Sequence, residues 1–84
     1  MARIIDTEKK NLIGSNLKKL RQKLKISQQQ LSDKLELYGV YVCRGSVSRI
    51  EDYSRTVTDI ELYAIAEALG VEIGALIQQR ADPF

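Results

Sequence analysis

The chain has no histidine and no tryptophan, and only one cysteine, one phenylalanine and one proline. Each shortage excludes something. Without histidine, neither a Ser–His nor a Cys–His nucleophile pair can be assembled. One cysteine and no histidine leave no credible zinc set. A lone thiol cannot close an internal disulfide, which sets the expectation of a reducing compartment, the cytoplasm. The single proline is Pro83, so nothing earlier forbids helix. The longest apolar stretches, such as Gly39-Val40-Tyr41-Val42-Cys43, are too short to cross a membrane. Met1 to Asp6 carries no apolar core of a secretory signal. No pair of carboxylates stands out either, and a domain this small rarely encloses a catalytic pocket. The reading is therefore not an enzyme, with no catalytic residue, no metal and no cofactor.

Eighty-four residues leave room for one domain, expected over 1–84. A hydrophobic content of 44% argues against disorder. The net charge of +2 conceals an uneven distribution. Residues 1–55 carry twelve Lys/Arg against six Asp/Glu, net +6, whereas residues 56–84 carry one Arg against five acids, net −4. A basic front and an acidic rear suit a protein that turns one face to a polyanion. Lys18, Lys19 and Lys25 are expected mainly as a solubilising face.

Periodicity gives five helices. Ile13, Leu17, Leu20 and Leu24 fall on one helical face, of a first helix capped by Asp6 or Thr7, with Glu8 in its first turn, and ending near Leu24. Ser27 followed three residues later by Gln30 is a capping box that opens a second helix over about 28–37, with Leu31 and Leu35 inward. Gly39 breaks it. Val40-Tyr41-Val42 resembles a short strand but has no partner strand, so an extended connection is expected. A third helix, about 44–53, turns Val47 and Ile50 inward. Thr58-Asp59-Ile60-Glu61 is a second capping box, opening a helix that buries Leu62, Ile65, Ala66 and Leu69, with Tyr63 core-packed. Gly70 suits its left-handed end, with Val71 as the apolar contact after it. A last helix, about 73–79, buries Leu76 and Ile77. The fold class is all-α, a compact five-helix bundle.

The segment from Ser27 to Leu35, followed by Gly45-Ser46-Val47-Ser48-Arg49-Ile50-Glu51, resembles the helix-turn-helix of the lambda-repressor-like, Cro-type family, the xenobiotic-response-element class of regulators. Ile13 to Arg21 is similar to the family's first helix, and Val57 to Leu62 through Ala66 to Val71 to its fourth. The likeness covers about residues 12–77, with the motif at about 27–53. It implies a sequence-specific, repressor-like regulator of prokaryotic or phage type that binds double-stranded DNA, with a recognition helix at about 44–53 in the major groove.

By the same resemblance, Arg44, Ser46, Ser48 and Arg49 read base edges, with arginine suited to guanine O6 and N7. Ser27, Gln28, Gly45, Arg55 and Thr58 are expected at the DNA backbone. Arg21 and Glu51 are expected as a structural ion pair. A homodimer on a palindromic operator is implied, with Leu76, Ile77 and Phe84 as candidate contacts. The alternative is a protein-interaction or antitoxin-like module on the same fold, with its own protein partner.

Two departures from the family pattern stand out. The turn between helices 2 and 3 is about five residues longer than usual, through residues 37–42. Tyr53 stands where the family usually has a glycine. Cys43, where Ser or Thr often caps helix 3, is expected to be small, half-buried and chemically idle.

Overall fold

Four helices of this chain end the same way, and those endings set the layout of the fold. The computed structural model describes residues 8–77. Within them lie α1 (Gly14–Lys23), α2 (Gln28–Leu37), α3 (Arg44–Glu51), α4 (Asp59–Leu69) and α5 (Ile73–Ile77), with no strand among the described residues. After α1 to α4 comes one residue with positive φ: Lys25 (59°), Gly39 (77°), Tyr53 (69°) and Gly70 (69°). The next amide then donates five residues back, from Ile26 to Arg21, Val40 to Leu35, Ser54 to Arg49 and Val71 to Ala66, at 2.9–3.2 Å. This is the Schellman ending. Its usual apolar follower is present three times, since Ile26, Val40 and Val71 all pack against the core.

Both capping boxes form as the sequence requires. Ser27 Oγ accepts from the Gln30 amide while Gln30 Oε1 accepts from the Ser27 amide. Thr58 and Glu61 make the same reciprocal pair. These fix where α2 and α4 begin.

The start of α1 departs from expectation. The helix begins at Gly14, not beside Asp6 or Thr7, which lie outside the described residues. Asn11 is the reason. Its Oδ1 accepts from the amides of Ile13 and Gly14, and its Nδ2 donates to the carbonyls of Ile50 and Arg55. One buried side chain thus starts α1 and ties it to the end of α3. Glu8 consequently precedes the helix instead of occupying its first turn. Leu24 sits past the end of α1 and is 48% exposed, its place at the core taken by Ile26.

Leu17, Leu31, Leu35, Val47, Ile50, Ile65 and Leu76 form a sealed centre. Helix α1 packs on α3 and α5, α2 on α3 and α4, and α4 on α5. Tyr63 corrects the sequence reading: it is 60% exposed, because the neighbouring positions Ala64 and Ile65 take the inward face of α4. Helix α3 ends at Glu51 and not at residue 53, since left-handed Tyr53 cannot continue it. Residues 78 and 79, expected in the last helix, lie outside the described residues.

Gly14 marks the closest approach of α1 to α3. A Cβ there would lie 2.7 Å from the Ile50 carbonyl oxygen, 2.9 Å from that of Glu51 and 3.0 Å from a Tyr53 ring carbon. Backbone cannot yield as a side chain can. Gly14→Ala is expected to cost about 1–3 kcal/mol or more of stability by overpacking, despite alanine's better helix propensity, as read from urea unfolding.

Candidate nucleic-acid interface

The site is built outward from one buried ion pair. Arg21 on α1 donates from Nε to Glu51 Oε2 at 2.7 Å and from Nη2 to Oε1 at 3.1 Å. The expected partnership of Arg21 and Glu51 is therefore present, and both residues are buried. Arg21 Nη1 also donates to the Ile26 carbonyl at 2.8 Å. Gln28, at the start of α2, donates from Nε2 to Glu51 Oε1 at 3.0 Å. Glu51 thus gathers α1, α2 and α3 onto one carboxylate. The hydrogen bonds to Glu51, helped by its charge, raise the Arg21 pKa against the opposing effect of burial.

Tyr53 makes a second clamp between α1 and the end of α3. Its hydroxyl donates to Ser15 Oγ at 2.8 Å and accepts from the Ser15 amide at 3.0 Å. Its carbonyl accepts from the Lys10 amide, and the Lys9 ammonium lies 4.3 Å from the ring centroid. Burial pushes the phenol pKa up, but the Ser15 hydrogen bonds and the charges of Lys9 and Lys19 outweigh it, and the net direction is down.

With its inner face fixed, α3 turns the remaining side chains outward. Arg44, Ser48 and Arg49 are exposed and Ser46 is half-buried. Arg49 does not project straight out. Its Nη2 donates to Ser46 Oγ at 3.2 Å, and its Nη1 would lie 3.5 Å from a Cβ on Gly45. Helical side chains lean towards the N-terminus, and this one is held there over Gly45. The guanidinium of Arg49 is thereby brought towards Arg44 at the leading end of α3.

Cys43, the N-cap residue, is exposed, not half-buried. Its thiol donates to Ser46 Oγ at 3.4 Å. The Ser46 hydroxyl and then its backbone amide, both able to donate to the thiolate, lower its pKa most; burial opposes them, and the Gly45 amide and Arg49 add to the lowering.

The residues expected at the DNA backbone divide into two groups. Ser27, Gly45 and Thr58 sit at or next to helix starts. The side chains of Gln28 and Arg55 are taken up within the protein. Arg55 donates to Glu61 Oε1 and Oε2 at 3.0 and 2.8 Å and to the Thr56 carbonyl at 2.9 Å. Hydrogen bonding to Arg55 is the largest influence lowering the Glu61 pKa, followed by burial acting the other way.

Sequence reasoning missed Asn11, the Glu51 contact of Gln28 and the Tyr53 clamp. Only Tyr53 left a signal, as the residue replacing glycine. Among the described residues no group of acidic, Cys or His side chains could hold a metal ion, and no helix is long and apolar enough to cross a membrane.

A lambda-repressor-like helix-turn-helix family model matches residues 17–76, and the chain belongs to that family. It is a DNA-binding helix-turn-helix protein of the transcription-regulator class. Its fold is similar to the DNA-binding domain of BldD, at 22% identity and a TM-score of 0.69, covering 88% of this chain and all of that one. It is likewise similar to the hypothetical transcription factor NHTF from Neisseria, at 23% identity and a TM-score of 0.69, covering 93% and 85% of the two chains. At such identities the likeness speaks to fold alone. No curated protein matches the chain.

Two predictions follow from the ion pairs. Glu51→Ala strands a buried guanidinium and is expected to cost about 3–5 kcal/mol in urea unfolding. Glu61→Gln keeps a side chain able to complete the capping box while removing the charge that holds Arg55. A carboxylate with a depressed folded pKa stabilises the fold above its unfolded pKa and loses that effect as pH falls through the folded value. The stability gap between wild type and Glu61→Gln should therefore be full at neutral pH and close below the ordinary carboxylate range, as measured by thermal unfolding across pH.

Proposed function

We propose that the protein is a repressor-like regulator that reads a specific double-stranded DNA sequence with α3 in the major groove. The observation that carries this reading is the one-sided tethering of α3. Arg21, Gln28, Asn11 and Tyr53 hold its inner and C-terminal side. Arg44, Ser48 and Arg49 stay exposed, and Ser46 half-exposed, on the other side. A helix tethered on one side with an exposed polar face on the other is what a groove-reading element requires. Arg44 has no hydrogen-bond or ion-pair partner among the described residues. With Arg49 it supplies bidentate donors suited to guanine, while Ser46 and Ser48 discriminate more weakly.

Backbone contacts are assigned to Ser27 and Thr58, whose helix starts favour phosphate, and to the main chain of Gly45. Gln28 contributes through its backbone amide, because its side chain serves Glu51. Arg55 acts through its charge and its hold on the start of α4.

One small domain buries little DNA, so a homodimer on a palindrome with half-sites about one turn (~34 Å) apart supplies the affinity. The dimer contacts expected from sequence need revision. Leu76 is sealed in the monomer core, Ile77 is half-buried against it, and Phe84 lies outside the described residues. Among the exposed apolar side chains, Ile60, 68% exposed, and Tyr63, one turn on along α4, share one helix face and offer a contact for a partner. Their acidic surroundings also support the second reading, a protein-interaction module with its own partner.

Selection from random duplex DNA at two salt concentrations, with sequencing, tests the proposal. The expected outcome is an enriched palindrome. Arg44→Ala and Arg49→Ala should each remove about 1–3 kcal/mol of discrimination with unfolding unchanged. Sequence-blind binding that vanishes by about 200 mM salt would reflect charge alone and would favour the protein-partner reading.

A further inference from the structure

We infer that Tyr41, in the long turn before α3, is an additional specificity residue that packs against the C5-methyl group of a thymine at the edge of the site read by α3. The inference rests on the proposed docking of α3 and extends it to a residue outside the helix.

Three observations place Tyr41 there. The turn is pinned on either side of it. Val40 packs against the core and donates its amide to the Leu35 carbonyl at 3.1 Å, and Val42 is buried. In extended backbone alternate side chains point opposite ways, so anchoring Val40 and Val42 inward aims Tyr41 outward. It is 78% exposed. It is therefore a presented aromatic on a held turn, whose backbone needs little further ordering on contact.

Its position adjoins the reading face. Tyr41, Cys43 and Ser46 share the wall of one surface hollow of about 290 Å³, completed by Val42 and by Ser32 and Glu36 of α2. Ser46 is one of the side chains assigned to base edges, so a base pair met by Ser46 has its neighbour within reach of this hollow.

The chemistry of the hollow selects the ligand. Glu36 places a carboxylate on its rim, which repels a phosphate. The Tyr41 ring, the Cys43 thiol and Val42 make one side of the wall soft and apolar, while the hydroxyls of Ser32 and Ser46 line the other. In the major groove the uncharged apolar feature is the thymine methyl group. No other base presents one.

The test uses the duplex enriched by the wild-type protein. Each thymine is replaced singly by deoxyuridine, which removes the methyl and nothing else. Affinities are then measured by fluorescence anisotropy for wild type, Tyr41→Ala and Tyr41→Phe. Because Tyr41 is exposed, both variants should fold, which circular dichroism verifies. At one thymine per half-site, wild type should lose roughly 3–5-fold, the value of one buried methyl group. Tyr41→Ala should bind the parent duplex correspondingly more weakly and lose nothing further at that thymine. Tyr41→Phe, which keeps the ring, should behave as wild type.

Additive losses at every thymine would overturn the inference, as would a selected site lacking thymine or Tyr41→Phe failing like Tyr41→Ala. If wild type enriches no sequence, the docking of α3 fails and this inference with it. If it enriches one without coupling to Tyr41, only this inference fails.

Discussion

The carboxylate of Glu51 is the constraint on which the rest depends. It lies at the last turn of α3, buried, and receives Arg21 from α1 and Gln28 from α2. A buried charge is costly unless paired and hydrogen-bonded. Here the cost is offset by three donors, and those donors come only from the correct arrangement of three helices. An apolar contact would tolerate small slides between helices; a two-point bond between a guanidinium and a carboxylate does not. The orientation of α3 is therefore set by hydrogen-bond geometry, while the aliphatic core supplies most of the attraction.

Around this pair the chain is closed by helix endings. Where the left-handed residue is glycine, at Gly39 and Gly70, the ending is visible from sequence, because glycine adopts positive φ without penalty. Where it is Lys25 or Tyr53, residue type alone does not show it, since non-glycine residues carry a steric cost there, and only the family's glycine at the position of Tyr53 hinted at it. The two hidden endings have different supports. Ile26 packs on the core and its carbonyl binds Arg21. Tyr53 lacks an apolar follower, as Ser54 comes next, and its own side chain substitutes by bonding Ser15 and lying under Lys9. The strain at Tyr53 is thus offset by contacts that glycine could not make.

The same division explains what was legible in the site. The capping boxes, the inward faces of α2 and α3 and the Arg21–Glu51 pair came through because they depend on local spacing or on the family likeness. Tyr63 misled because an aromatic at a helical position reads as core, whereas the space inside α4 is filled by Ala64 and Ile65. Leu24 misled because helical periodicity was carried one residue past the end of α1 at Lys23, onto the C-cap before left-handed Lys25. Asn11 was invisible because its role depends on carbonyls 39 and 44 residues away.

The long connection between α2 and α3 is better understood as an inserted support than as a loosened turn. Glu51 and Asn11 hold the C-terminal end of α3, and Val47 is buried in its first turn. Here Val42 is buried immediately before the N-cap, so the leading end of α3 is anchored as well. Fixing that end matters for the proposed function, because Arg44 and the folded-back Arg49, the proposed base readers, lie there. The added residues therefore give α3 a second buried anchor at Val42 and, by the alternation that turns Val40 and Val42 inward, leave Tyr41 facing outward beside it.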